Sequence, residues 1–572
     1  MVAAVTAITD PTATTTSYSA RRVITMNPAV PTADAVAVRG ERILGVGTVE
    51  ELASWGDHTV DRRFADRVLL PGFVEAHTHV MSGGMWDYPY IGWFDRTGPD
   101  GRHWPGAHDI ATVIELLRRY EKELDDPDAP LIAWGLDPIY FTGERLVARH
   151  LDQVSDRRPI FVYHASGHLA TVNTAMLQRE HIDASTPTPG VAKGPDGRPN
   201  GELQEPAAMM LASAAYPAMF RSMHGPDAIR AYADEARNTG QTAVTDLGTT
   251  AIDRPRQLDA WKAVTAQPDF PVRVMVAAAP GLAQIDPAEL GALVADLSAE
   301  MEAIGNRKLR FGIAKIILDG SIQGFTARIS WPHYYRPPEG HPGNGLWLVP
   351  PERMADLVTE LHRAGLIVHC HCNGDEASEV FIDAVATALE RHPRADHRHT
   401  VQHCQLTTPA QYRRMAALGM EANIFSNHIF YWGDQHRDVT LGPDRAAAMD
   451  ACATARREGV RFAIHADTPV TPMGQLHTAW CAVNRLTASG RVLGPEERIP
   501  VGAALEAITL GAAHQLGLDH EIGSIEAGKL ADFAVLDDDP LTVEPAGLAG
   551  IGVWGTVLGG IPQPGAGTVA VP

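Results

Sequence analysis

His77 and His79 close the run Leu69-Leu70-Pro71-Gly72-Phe73-Val74-Glu75-Ala76-His77-Thr78-His79. Side chains of a β-strand alternate between faces, so residues two apart point the same way and both imidazoles leave one strand end toward a common point. Imidazole suits zinc and similar transition metals, but a catalytic zinc takes about three protein ligands, so two do not complete a site. The remaining ligands must come from elsewhere. With 25 histidines in the chain a lone His-x-His arises often by chance, and the pair gains meaning only if later residues complete it.

The elements that must position such a site follow from the apolar pattern. Eight strand candidates lie at Leu69–His77, Thr242–Leu247, Val272–Ala278, Phe311–Leu318, Leu366–His371, Thr400–Cys404, Met420–Phe425 and Arg461–His465. Between most of them, Gly225–Thr239, Pro287–Ile304, Glu352–Ala364, Glu376–Glu390, Pro409–Leu418 and Pro443–Glu458 carry apolar spacing near period 3.6, often after a capping residue or Pro. Eight strand–helix units predict an α/β fold, a parallel (β/α)8 barrel of the TIM type, in about residues 71–520. The interval of about residues 80–225 is an insertion after strand one, expected as a cap or as extended loops over the barrel mouth.

Residues 1–17 are expected to be a flexible N-terminus. Short strands at Arg22–Met26, Ala35–Arg39 and Arg42–Val46 match others at Phe533–Leu536 and Gly552–Leu558. Residues 18–70 and 521–572 are therefore expected to form one small discontinuous β-sandwich domain.

Composition narrows the function. A net charge of −21 disfavours nucleic acid or an anionic membrane surface as partner. The cysteines Cys370, Cys372, Cys404, Cys452 and Cys481 are odd in number and lack paired finger spacing, which argues against a disulfide framework. Cys370 and Cys372 would face away from His371 on a strand and read as packed thiols. The first sixteen residues lack a basic segment ahead of a long apolar one, and Arg21-Arg22 is followed only by Val23-Ile24-Thr25-Met26, too short for a signal core. No run reaches the roughly 18 apolar residues of a membrane-spanning helix. A cytoplasmic setting is the expectation.

In a barrel of this type the reacting groups lie at the C-terminal strand ends. His77 and His79 close strand one, Lys315 lies in strand four, His371 closes strand five, His403 strand six, and Asp467 follows strand eight. The ordered set is informative where each member alone is weak.

The chain resembles a metal-dependent hydrolase of the amidohydrolase superfamily. The matching pieces are Pro71 to His79 (PGFVEAHTH), Lys315 to Thr326 (KIILDGSIQGFT), His371 to Ala377 (HCNGDEA), Val401-Gln402-His403, His465 to Val470 (HADTPV) and Gly523 to Phe533 (GSIEAGKLADF). They are similar to the amidohydrolase-3 branch, which includes N-substituted formamide deformylases, from about Tyr18 onward. The resemblance implies one or two divalent transition metals, with zinc favoured and manganese, iron or cobalt open. His77, His79 and Asp467 would hold the first, His371 and His403 a second, and Lys315 would bridge them once carboxylated. The alternatives are an unmodified Lys315 paired with a carboxylate beside a single metal, and Asp467 as a helix N-cap.

A metal of this kind lowers the pKa of water and polarises a carbonyl, while Asp467 would carry the proton to the leaving amine. The expected activity is hydrolysis of a small N-substituted amide. The rivals are a deaminase or cyclic amidohydrolase on the same scaffold, and a barrel that binds without catalysis.

His428, in the segment Asn427 to Asp434 after strand seven, is the candidate for orienting the substrate carbonyl, with Trp432 beside it; His164, His168 and His436 stay ambiguous. Met81, Trp86, Tyr88, Tyr90, Trp93 and Phe94 form an aromatic run in a chain that is only 6% aromatic. They read either as a pocket wall for an apolar or aromatic substituent or as the core of the insertion. Asp319 and Asp375 read as loop-organising residues. The sequence leaves assembly into homo-oligomers open.

Overall fold

Eight short apolar runs lie side by side, every neighbouring pair parallel: Phe73–Thr78, Gln241–Asp246, Arg273–Ala278, Leu309–Ile317, Ile367–Cys372, Thr400–His403, Glu421–Ile424 and Phe462–Ile464. They are seen in a computed structural model that describes residues 14–54, 58–141, 145–248, 254–278, 281, 285–304, 306–338 and 343–566. The chain is thus an α/β protein with a (β/α)8 barrel. Sequence periodicity located all eight strands to within a few residues, because parallel strands covered by helices must be apolar on their outward face.

Outward alternation fixes what points inward. Val74 and Ala76 pack with Ala512 and Ala513, while Glu75 and His77 alternate with them onto the opposite, interior face, where His77 meets Lys315 and Gln402. Cys370 and Cys372 likewise join the outer core, with sulfurs 3.6 Å apart, and His369 and His371 turn inward. The seam between the eighth and first strands is held by the His79 amide, which donates to the Thr468 carbonyl at 3.0 Å. The Ala466 amide adds a bond to the Glu75 carboxylate at 3.2 Å.

The helices begin and end where their caps dictate. Thr408 and Gln411 form a reciprocal capping box ahead of Pro409–Leu418, and Gly419 at φ 73° ends that helix in the left-handed conformation. The expected helix Pro443–Glu458 is instead two, Pro443–Ala448 and Cys452–Arg457. Between them Asp450 takes a left-handed φ of 49°, which no helix accommodates.

The expected first strand, Leu69–His77, also divides. Leu69, Leu70 and Pro71 belong to His58–Pro71, a strand of another sheet, and the barrel strand starts at Phe73. Gly72 marks the break: a Cβ there would lie 1.9 Å from Thr242 Oγ1, so only glycine lets the two strands pass so closely.

That other sheet has seven strands drawn from both ends of the chain, in the order Ile561–Pro564, Val553–Leu558, Phe533–Leu536, His58–Pro71, Thr15–Ile24, Thr32–Arg39 and Arg42–Gly47. Residues 1–13 of the segment expected to be flexible lie outside the described residues, while Thr15 to Ser17 are already strand. The insertion after the first barrel strand is more ordered than loops. It contains a five-stranded sheet of Val191–Lys193, Pro199–Gln204, Leu169–Val172, Ile160–His164 and Leu131–Leu136, with its own apolar core around Trp134, Phe161 and Met209. Among the described residues no helix is long and apolar enough to cross a membrane.

Arg273, at the start of the third barrel strand, donates to both carboxylate oxygens of Asp532 at 2.7 and 3.1 Å, both side chains being buried. Removing one partner strands a charge in the interior, at a cost of about 3–5 kcal/mol. Asp532→Ala is therefore expected to lower the thermal unfolding midpoint clearly, and the paired replacement Arg273→Met with Asp532→Leu to lower it less. Calorimetry on the three variants checks the ordering.

Candidate metal centre

At the C-terminal strand ends the sequence-expected ligands converge. Asp467 Oδ1 lies 3.3 Å from His77 Nε2 and 3.2 Å from His79 Nε2, and its other oxygen lies 3.8 Å from His403 Nδ1. Lys315 Nζ is 3.2 Å from His77 Nε2. The His371 ring lies with its centroid 4.4 Å from that of His403. His371 differs from the rest in having its Nε2 on the Gly320 carbonyl at 3.0 Å. Donation to that carbonyl leaves Nδ1 as its nitrogen with a lone pair.

Two residues of the group hold backbone conformations that side chains disfavour, His403 at φ 72° and Asp467 at φ 53°. Non-glycine residues rest there only where their surroundings over-determine them, and such positions concentrate at functional sites. At Asp467 the strand has just ended, and the left-handed turn swings the carboxylate back over the barrel mouth.

Burial sets the protonation states. It holds His77 and His403 well below the ordinary imidazole value, helped by Lys315 at His77 and by His371 at His403. His371 and His465 are pushed down to about 3, again chiefly by burial. Burial alone would raise Asp467, but His77 and His79 beside it hold its carboxyl below the usual range. Lys315 is pushed down to about 8 by loss of solvent. The result is a set of neutral imidazoles and one carboxylate.

This donor set fits a transition metal. The His77 Nδ1–H donates to Gln402 Oε1 at 2.5 Å, so Nε2 presents a lone pair to an anionic oxygen 3.3 Å away. Two acceptors so placed call for a positive charge beside them, which Lys315 Nζ, 3.2 Å from His77 Nε2, offers here and a metal ion would offer when bound. Two triads have donor atoms within 4.8 Å of one another: His77, His79 and Asp467, and His77, His403 and His465. Asp467 Oδ1 and His403 Nε2 are buried without hydrogen-bond partners.

The residues expected to touch substrate divide. His428 Nδ1 faces Asp450 Oδ1 at 3.3 Å, and its ring centroid lies 4.1 Å from that of Phe425, which stacks at 4.8 Å on His465. Trp432, Tyr431, Tyr140, Trp93 and Phe94 continue this aromatic cluster away from the histidines. Met81, Trp86 and Tyr88 do not join it and instead pack against the insertion's own core, with Trp86 edge-on to Trp134 at 5.1 Å. In the structure these three are packed as the second reading of the aromatic run describes, against the core of the insertion. A flexible thioether and two large rings next to a sheet face bury more apolar surface there than at an open mouth.

The ambiguous histidines also resolve. His164 pairs with Thr171 inside the insertion sheet, and His436 bonds Gln405 and Thr440. His168 reaches the centre, its ring 6.5 Å from that of His371 and its Nδ1 3.0 Å from Glu205. Asp319 accepts the amides of Arg328, Asn373 and Gly374, and Asp375 accepts that of Ser330, so both tie loops together.

Sequence reasoning gave no role to Glu75, His369, His465, Gln402 or Asn423. Glu75 lies two before His77, His369 two before His371 and His465 two before Asp467, so the alternation that exposed His77 and His79 also marks these three. Gln402 and Asn423 carry no such signal, since an amide inside a strand has no characteristic neighbour.

Residues 65–562 match the amidohydrolase family. The chain is 26% identical over 523 residues to Protein LONG AFTER FAR-RED 3 of Arabidopsis thaliana, covering 90% of this chain and 85% of that one. It is 26% identical over 562 residues to N-substituted formamide deformylase of Arthrobacter pascens, covering 92% and 94%. The crystal structure of an uncharacterized metal-dependent hydrolase from Pyrococcus horikoshii superposes with a TM-score of 0.68 at 18% identity, covering 93% of this chain and 99% of that one.

If the converging groups hold the metal, His77→Ala and Asp467→Ala should each lose transition metal on dialysis, measured by elemental analysis. His428→Ala, outside both triads, should retain the wild-type content.

Proposed function

Because the chain belongs to the amidohydrolase family, metal-dependent hydrolases of carbon–nitrogen bonds other than peptide bonds, we propose that it cleaves a small N-substituted amide. Formamides and other N-acyl amines are the first substrates to try, and the formamide deformylase relative supports that choice. The observation that carries the reading is the Asp467 carboxylate, set against the imidazoles of His77 and His79, with the Phe425 ring stacked on neighbouring His465.

In this reading His77, His79 and Asp467 would hold one metal and His371 and His403 a second, with Lys315 as a further ligand once carboxylated and zinc favoured by the nitrogen and oxygen donors. A divalent metal there supplies a Lewis acid that brings the pKa of water toward about 7 and polarises a carbonyl. Asp467, a carboxylate at neutral pH, takes the proton of the attacking water and delivers it to the leaving nitrogen as the C–N bond breaks. The products are the carboxylic acid and the free amine. His428, held by Asp450, orients the substrate carbonyl, and Trp93 and Trp432 line the side where an apolar or aromatic substituent lies.

Assay of a panel of N-substituted formamides, acyl amines, cyclic amides and amidines for released amine, carboxylate and ammonia tests the reaction class. Amine with carboxylate is expected; ammonia alone would move the assignment to deamination. Asp467→Asn keeps size and shape but cannot accept the proton, so turnover should fall by about 100-fold or more with the circular-dichroism spectrum unchanged. Wild-type turnover in that variant removes the proton-shuttle role.

Carbamate formation needs the neutral amine, and Lys315 reaches half-neutral near a pH of about 8 rather than about 10.5. Bicarbonate-dependent metal uptake by chelator-treated protein should therefore rise as pH passes upward through about 8, and Lys315→Met should abolish the bicarbonate dependence. Metal uptake indifferent to bicarbonate throughout this range argues for an unmodified lysine.

A further inference from the structure

Six buried side chains form one continuous chain of hydrogen bonds beneath the metal centre, and its polarity can be read from one end. Gln515, on the helix Leu510–Gln515, offers its backbone carbonyl to His369 Nε2 at 3.3 Å. A carbonyl oxygen only accepts, so His369 carries its proton on Nε2, and a neutral imidazole then has a lone pair on Nδ1.

That lone pair faces Gln402 at 2.8 Å, so the amide must turn its NH2 toward His369 and its oxygen the other way. The oxygen meets His77 Nδ1 at 2.5 Å and Asn423 Nδ2 at 3.0 Å, and both must be donors. Asn423 consequently presents its own oxygen to His465 Nδ1 at 3.1 Å, which must also donate. His465 Nε2 is left with a lone pair, and His403 Nδ1 lies 3.1 Å from it. His403 donates there, and its remaining nitrogen, Nε2, holds a lone pair. That nitrogen is buried and has no hydrogen-bond partner.

No step in the chain leaves a choice, because each group has one donor face and one acceptor face and all are buried. We propose that this relay fixes the tautomers of the metal-facing histidines. One backbone carbonyl, acting through Gln402 and Asn423, forces His77 and His403 to present Nε2 lone pairs. His465, though it belongs to one of the two triads, has its Nε2 occupied by His403 and is a positioning residue rather than a ligand. Gln402 and Asn423 are positioning residues too. Neutral amides suit this role, since each both donates and accepts; a carboxylate in place of Gln402 would keep the acceptor toward His77 and Asn423 and lose only the donor toward His369.

The relay rests on the assignment of His77 and His403 as ligands, and the test separates the two. Zinc affinity of the folded protein is measured by competition with a chromophoric chelator. Gln402→Leu removes the acceptor of His77 and should weaken zinc binding by about 10–100-fold. Gln402→Glu keeps an acceptor for His77 and should stay within a few-fold of wild type. Wild-type affinity in the leucine variant, or equal loss in both, overturns the relay; a wild-type protein that binds no zinc overturns the ligand assignment instead.

A second measurement needs no variant. The ring-nitrogen shifts of metal-free, 15N-histidine-labelled protein should show His77, His403 and His465 protonated at Nδ1. Protonation at Nε2 of His77 or His403 overturns the relay even if the leucine variant fails to fold.

Discussion

The structure is organised around a repulsion. The Nε2 atoms of His77 and His79 are brought within 3.2–3.3 Å of a carboxylate oxygen of Asp467 at the end of the barrel, and burial denies His77 and Asp467 water. The His77 lone pair and that carboxylate repel, and a positive charge beside them, from Lys315 or a bound metal, offsets the repulsion. Rigid surroundings must keep the groups from relaxing apart. The barrel supplies them: strands one and eight are joined at their seam by the Glu75 carboxylate and the His79 amide, and the left-handed turns at His403 and Asp467 aim those side chains inward.

The other two units extend this arrangement outward and downward. The seven-stranded sheet is fastened to the barrel by the buried Arg273–Asp532 pair, and Gly72 allows one chain to pass from that sheet into the first barrel strand. On the other side, the insertion grips the helix Asn427–Gln435. Trp432 Nε1 donates to Asp137 at 2.8 Å, and the Tyr140 hydroxyl donates to the Tyr431 carbonyl at 2.7 Å. The same helix carries His428. The insertion therefore positions the wall of the aromatic cluster and brings His168, held by Glu205, beside His371.

Much of this was legible in the chain. The eight strands appeared as apolar runs because helices cover their outer faces, and the helices declared their ends through Thr408, Pro409 and Gly419. His77, His79, Lys315, His371, His403 and Asp467 could be picked out because barrel geometry places reacting groups at strand ends. The aromatic run was read with two meanings, and burial divides it: Trp93 and Phe94 join the cluster with Trp432, while Met81, Trp86 and Tyr88 fill the insertion. Aromatic residues serve cores and pockets equally well, so type and spacing could not separate them.

The sequence by itself determined the barrel, the order of the candidate ligands along it and their chemical type, because strand alternation and helix capping are local and repeat along the chain. Only the tertiary structure decided which nitrogen of His77, His403 and His465 carries the lone pair, and that His371 spends Nε2 on Gly320. It also decided that His465 belongs beside His403. Those outcomes depend on donors and acceptors far apart in sequence, such as Gln515 and His369, and a hydrogen bond has no direction until both of its partners are in place.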